Sequence, residues 1–249
     1  YRAKREYGEY YFQTRYTRPF EHFRWLSQYA TWEAPPRILD IGAGYGGAVR
    51  AFQDLGARAE GIEIDAALCA AAPERFEVTL INGDFLTYQF EEGAYDVVYS
   101  AHTHEHFDDF VTVNKRIHSL LKPDGHLLLI LPTFRFAGFN GQGFINVFHN
   151  SMFTGRSLWN MLVLGSFQPI TICYPFRHSQ AEVWGLGRRA PSVDLRLRHD
   201  RAWLVKQEVR LAPALFERLY RMSIGRWMLM ALIARVWGCR PPNSRRFHL

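Results

Sequence analysis

At 249 residues, with 48% hydrophobic and 22% charged residues, the chain has the balance of a globular protein and enough length to bury one substantial core. No stretch approaches the roughly 20 apolar residues of a membrane span, and the opening residues are too polar and charged for a secretory signal. The formal net charge of +6 does not by itself point to nucleic acid, because the arginines are spread along the chain and thicken mainly after Arg188.

Residues 1–30 mix aromatics and arginines at helical spacing and reach a stop at Pro35-Pro36, which predicts a helical preamble. Arg37–Ile41 is a short apolar run ending in glycines, a buried strand followed by a tight turn. A helix over Ala48–Leu55, a strand over Ala59–Ile64, a helix over Ala66–Ala72 and a strand over Glu77–Ile81 continue the alternation. Tyr95–Ser100 reads as a strand and Phe110–Leu121 as a helix. Lys122–Gly125 is a turn leading into the apolar strand His126–Leu131. Uninterrupted apolar runs indicate strands covered on both faces, as a parallel sheet requires. Farther on come a helix over Arg156–Leu164 and two strands, Ile170–Tyr174 and Ala181–Leu186, spaced as an antiparallel pair at a sheet edge. Arg188–Arg201 lacks periodicity, and Leu215–Trp237 is helical. The expected fold is α/β, a Rossmann-like doubly wound sheet, mostly parallel with an antiparallel edge. It divides into a helical cap (1–36), a central domain (37–188) and a C-terminal extension (189–249).

Cys69, Cys173 and Cys239 lie far apart with no metal or redox spacing, so a reducing cytoplasm fits better than a disulfide framework.

The chemistry concentrates in ILDIGAGYGG, residues 38–47. A strand that ends in glycines lets the backbone approach a ligand closely, and the following helix offers free N–H groups there. Gly42, Gly44 and Gly47 satisfy GxGxxG, which alone leaves a dinucleotide and S-adenosylmethionine both open. Asp40 bears on the choice. A carboxylate two residues before the first glycine would repel a pyrophosphate but suits a ligand carrying an ammonium and a sulfonium. Asp40 as an ordinary cap of the next helix is the bland alternative.

With these residues the sequence resembles the class I S-adenosylmethionine-dependent methyltransferases over roughly Arg37–Arg188. The resemblance implies that Asp40 and the bend of Gly42, Ala43, Gly44 and Gly46 hold the methionine part of the cofactor. In GIEID, it implies that Glu63 hydrogen-bonds the ribose hydroxyls and that Ile64 belongs to the cofactor site. In NGDF it implies that Asp84 takes the adenine amino group and Phe85 flanks the ring. YDVVYS ends in Ser100, at the cofactor edge of the fourth strand, and LKPDGHLLLILP is similar to the family's turn into its fifth strand. S-adenosylmethionine is thus the expected cofactor and S-adenosylhomocysteine the expected product.

One segment departs from the family. The run AHTHEHF matches at Glu105 and His106, whereas His102 and His104 are additions. Three alternating histidines suggest a metallo-hydrolase box, but the run is one residue short of it. On a turn into a helix, His102 and His106 would share a side and His104 would face elsewhere, so no metal is expected. A neutral histidine is the natural proton acceptor for an alcohol near pH 7. His104 and His149 are the expected candidates, with His106 behind them.

The opening YGEYYFQTRY is similar to the aromatic and basic preamble of methyltransferases associated with surface-glycan or lipid-linked glycan synthesis. That implies closure of the preamble over the cofactor, with Tyr11 and Arg15 in reach of it. The expected reaction is O-methylation of a sugar hydroxyl on a glycan or lipid-linked glycan. Small-molecule O-methylation, of a natural product or quinone, and a catalytically silent S-adenosylmethionine-binding module are the alternatives. The C-terminal segment RMSIGRWMLMALIARVWG could lie in a membrane interface at the cytoplasmic face, pack against a second subunit, or cover the protein's own sheet.

Overall fold

The computed structural model describes residues 2–133, 153–175 and 182–193. The long helix α1 (Arg2–Leu26) leads into a seven-stranded sheet in the order β3-β2-β1-β4-β5-β7-β6. Its strands are β1 (Arg37–Ile41), β2 (Arg58–Glu63), β3 (Ile81–Asn82), β4 (Tyr95–Ala101), β5 (Leu121–Pro132), β6 (Phe167–Cys173) and β7 (Glu182–Arg189). Between them run α2 (Gly47–Asp54), α3 (Ala66–Phe76), α4 (Phe110–Leu120) and α5 (Gly155–Leu164). The pairings among β1 to β5 are parallel, and β7 is antiparallel to both β5 and the outermost β6. This is the Rossmann-like doubly wound sheet with an antiparallel edge pair that the sequence predicts.

The continuous apolar strands serve two cores at once. Leu39, Ile41, Val98, Leu127 and Leu129 face one core, which also receives α4 and α5 residues such as Ile117 and Leu162. Ile38, Val97, Tyr99, Leu128 and Ile130 face the other, closed by Leu26 of α1 and Phe52 of α2. Successive residues of a strand point to opposite faces, so the apolar runs of the central strands are covered on both sides. The helices begin where local hydrogen bonding allows. Asp65 and Asp109 cap α3 and α4 by accepting from backbone N–H groups two and three residues on, and Thr154 with Ser157 forms a capping box on α5.

Two elements differ from expectation. The strand predicted over Glu77–Ile81 pairs only at Ile81 and Asn82. Val78 and Leu80 are buried in a small cluster with Val49 and Ala72, so their apolar character serves side-chain packing and not a ladder. The turn Lys122–Gly125 lies inside β5 as an irregularity. Leu121 pairs with Tyr95 and His126 with Val97, which leaves four residues facing one, and Asp124 takes φ 60.

The helix predicted over Leu215–Trp237, most of the C-terminal extension, Cys239 and His149 lie outside the described residues. No helix among the described residues is long and apolar enough to cross a membrane.

Candidate active site

Three features meet at the edge where β1, β2 and β4 end. The first is the glycine bend. Gly42, Gly44 and Gly46 all have positive φ, and Gly46 is the N-cap of α2 without a side-chain cap. Gly42 and Gly46 are needed for space as well, since a Cβ would stand 2.3 Å from Thr103 Oγ1 in the first case and 2.4 Å from Val78 Cγ2 in the second. At Gly44 the space is open. The bend is tied to β2 by Gly42 and Ala43, whose N–H groups both donate to the Ile62 carbonyl.

Glu63 is the second feature. Its Oε2 accepts from Gly44 N at 2.9 Å and its Oε1 from Asp65 N at 3.0 Å, so the carboxylate is fixed before any ligand arrives. Asn82 of β3 secures the same strand tip by donating to the carbonyls of Glu63 and Ile64. Ile64 is 71% exposed and Leu86 is 37% exposed, with the Leu86 N–H donating to Asp84 Oδ1 at 2.8 Å. Asp84 itself is exposed. Phe85 departs from expectation. It is buried in the main core against Phe90 and Phe107, with the Arg116 guanidinium over its ring, so it anchors the loop and offers no face to a ligand. Leu86, which sequence reasoning passed over, is the exposed apolar neighbour.

The third feature is α1, which closes over the bend. Phe12 packs edge-on against Tyr45 of the bend at 5.0 Å, and Tyr16 donates to Asp54 of α2 at 2.7 Å. Tyr11 is partly exposed under the Arg15 guanidinium. Arg15 acts electrostatically on Asp40, Tyr99 and Glu105. Asp40 is 3% exposed; burial and the nearby Glu63 push its carboxyl up to about 7, against the opposing pull of Arg15.

Beyond β4 the histidine run separates into three environments. His104 is fully buried in the 3-10 turn His104–His106, with Nε2 3.2 Å from Asn114 Oδ1 and Nδ1 3.3 Å from Ser100 Oγ. Because Asn114 donates its amide to Met161 O, the consistent arrangement is Nε2–H to Asn114 and Ser100 O–H to Nδ1. Burial lowers the His104 ring to about 4, which keeps it neutral. With both nitrogens engaged in the core it cannot meet an acceptor. His104 as proton acceptor is therefore corrected to a structural tie, and the Ser100 hydroxyl is spent on the same tie. His106 is exposed at the end of the turn.

His102 takes the remaining position, one the sequence alone did not single out. Its Nε2 lies 2.7 Å from Glu182 Oε1 at the start of β7, and its Nδ1 lies 3.8 Å from Glu105 Oε1. No three His, Cys, Asp or Glu among the described residues are grouped to hold a metal. Glu182 also pairs with Arg18 of α1 and accepts from Trp184 Nε1 at 3.1 Å. Burial alone would raise the Glu182 carboxyl, but the donors His102 and Arg18 hold it well below the usual carboxylate range. A cavity of about 590 Å³, bordered by Trp32, Lys122, His126 and Arg188, lies at the opposite edge of the sheet and shares no residue with the bend.

The residues fit the methyl donor. The bend is open at Gly44, Glu63 is a preset carboxylate at the second strand tip, Ile64 and Leu86 supply exposed apolar surface, and Asp40 offers anionic character without a phosphate-binding group. The sheet and this site define a class I S-adenosylmethionine-dependent methyltransferase domain. Residues 39–129 match the family described as methyltransferase domain, and S-adenosylmethionine is the cofactor of such a domain.

Over 118 residues the chain is 30% identical to phosphoethanolamine N-methyltransferase 2 of Caenorhabditis elegans, a match that covers 45% of this chain and 27% of that protein. The chain thus aligns with only about a quarter of that relative's length. Among solved structures, a sarcosine dimethylglycine methyltransferase from Galdieria sulphuraria is similar at TM-score 0.58 and 15% identity, covering 71% of this chain and 86% of that one. A 1,6-didemethyltoxoflavin-N1-methyltransferase from Burkholderia thailandensis, solved with S-adenosylhomocysteine, is similar at TM-score 0.52 and 22% identity, covering 65% of this chain and 72% of that one. At such identities the likeness is one of fold.

Proposed function

We propose that the protein transfers the methyl group of S-adenosylmethionine to a sugar hydroxyl of a glycan or lipid-linked glycan. The observation that carries methyl transfer is the pair of carboxylates set about the open glycine bend: Glu63 fixed by two backbone N–H groups, and Asp40 buried beneath α1. When bound, the cofactor supplies an electrophilic methyl carbon on a sulfonium. Glu63 would receive the ribose hydroxyls, Asp84 the adenine amino group, and Asp40 would face the cationic end. The Gly42–Gly46 backbone would wrap the methionine part, and α1 with Tyr11 and Arg15 would exclude water above it.

Support for a hydroxyl acceptor is drawn from the aromatic and basic preamble, which packs against the glycine bend and whose sequence resembles that of glycan-associated enzymes, and from a histidine–carboxylate pair beyond β4. A second reading, methylation of a small amine, is favoured by the stretch shared with the phosphoethanolamine enzyme. Labelled S-adenosylmethionine offered with methyl glycosides and lipid-linked saccharides, and separately with phosphoethanolamine and sarcosine, tests both. Label in the saccharides supports the first reading, and label only in the amines replaces it. Calorimetric binding of S-adenosylhomocysteine without any transfer would mark a silent binding module.

The proposal includes peripheral contact with the inner face of a membrane, or a homodimer contact, through the segment 215–237. Equal liposome flotation of the full chain and of a chain ending at Arg210 would remove the membrane part. A single monomeric mass for both would remove the dimer.

A further inference from the structure

The chain leaves β4 through His102, which holds φ 55, in the left-handed region that a histidine rarely adopts. Three contacts fix it there. The His102 N–H donates to Ile130 O at 2.9 Å, and its ring Nε2 lies 2.7 Å from Glu182 Oε1. The following residue, Thr103, lies so close to the glycine bend that a Cβ on Gly42 would meet it at 2.3 Å. The His102 side chain keeps 18% of its surface open, whereas Glu182 and Glu105 keep none.

This geometry sets the protons. Arg18, Trp184 and His102 all donate to Glu182, which makes it an ionised acceptor. A carboxylate 2.7 Å from Nε2 requires the proton on that nitrogen, so Nδ1 carries the lone pair of the neutral ring. Nδ1 is 3.8 Å from Glu105 Oε1, too far for a hydrogen bond but close enough for attraction once the ring is charged. The groups facing the ring are therefore Glu105 of the 3-10 turn, Glu182 of β7 and Arg18 of α1, with Arg15 of α1 acting on Glu105.

We infer that His102 takes the proton of the methyl-accepting hydroxyl on Nδ1, with Glu182 fixing the ring and Glu105 stabilising the cation that forms. The inference rests on the hydroxyl reading above. The acceptor oxygen forms its bond to the methyl carbon, the C–S bond breaks with its electron pair left on sulfur, and the hydroxyl proton passes to Nδ1. Positive charge moves from sulfur to an imidazole between two carboxylates, and the proton then leaves to water.

Two measurements on the full chain test this. With S-adenosylhomocysteine bound, ¹⁵N-histidine NMR at pH 8 is expected to show His102, identified by its loss in His102→Asn, as the neutral ring protonated on Nε2 alone. In Glu182→Gln the two nitrogen shifts are expected to move together as tautomers mix. Asparagine tolerates the left-handed backbone, so His102→Asn should fold and keep S-adenosylhomocysteine affinity within about twofold. Its transfer to a methyl glycoside or lipid-linked saccharide should fall by about 10²–10⁴-fold. A ring protonated on Nδ1 or doubly protonated at pH 8 overturns the inference, as does hydroxyl transfer unchanged in His102→Asn. Absence of hydroxyl transfer in the wild-type protein instead overturns the reading beneath it.

Discussion

Gly47 and Arg15 meet backbone to backbone: a Cβ on Gly47 would stand 2.9 Å from the Arg15 carbonyl oxygen. Pro19, four residues on in α1, has no N–H to bond that carbonyl, so the helix is open at the point where it crosses the start of α2. The third glycine of the GxGxxG pattern thus serves the covering helix and not the ligand.

Gly47→Ala should therefore loosen α1 while leaving the sheet intact. The expected cost is about 1–3 kcal/mol, the usual penalty for overpacking, with faster tryptic cleavage after Arg15. Thermal denaturation and timed proteolysis check it, and cleavage at the wild-type rate would refute the close approach.

Glu63→Gln keeps the shape of the side chain but removes its charge and one acceptor. S-adenosylhomocysteine affinity should fall roughly ten- to a hundredfold, the range for lost hydrogen bonds to a charged group. Calorimetry measures it. An unchanged dissociation constant would exclude Glu63 from the cofactor site.

Burial holds Asp40 protonated up to about pH 7, well above its ordinary 3.8. The unfolded chain ionises first, so this group's favourable contribution is full below about pH 4 and is lost as pH rises to 7. Asp40→Asn should accordingly gain stability over wild type between pH 4 and 7, with no difference at pH 3. A cationic ligand favours the carboxylate, so binding near pH 6.5 should release protons in the wild-type protein and not in Asp40→Asn. Calorimetry in buffers of different ionisation enthalpy reads that release.

For Glu182 the sign is opposite. Its folded carboxyl lies below its ordinary 4.5, so its contribution is present at neutral pH and is lost as pH falls from about 4.5 toward the lower folded value. Arg18→Met removes one partner of a buried pair. It should cost about 3 kcal/mol at pH 7, the low end for such losses, since His102 and Trp184 still donate. The gap between variant and wild type in thermal midpoint should narrow below pH 4. A constant gap would show that Arg18 acts by packing alone.

The central sheet was legible because short apolar runs such as Leu127–Leu131, bounded by turn residues, serve two cores at once, as strands covered on both faces must. Residues 77–81 were misread for the same reason inverted: Val78 and Leu80 are apolar for a local cluster, and composition does not say whether the backbone pairs. The glycine bend and Glu63 stand where their spacing in the sequence suggested. Phe85 and His104 carried the right residue types for chemistry, yet both turn inward, and alternation cannot show which way a turn residue points. His102 was seen only as an addition to a pattern, because its partner Glu182 lies 80 residues away and no local signal links them.

The reversal of β7 decides where that partner stands. A strand running with its neighbours would open at the far rim of the sheet and leave residue 182 a full strand length from the histidine. Running backward, it delivers its first residue to the rim where β4 lets the chain go. Lengthening or shortening the connection into β7 would therefore alter loop size without disturbing the dyad, whereas shifting the strand's register by one residue would turn the carboxylate to the opposite face and silence it.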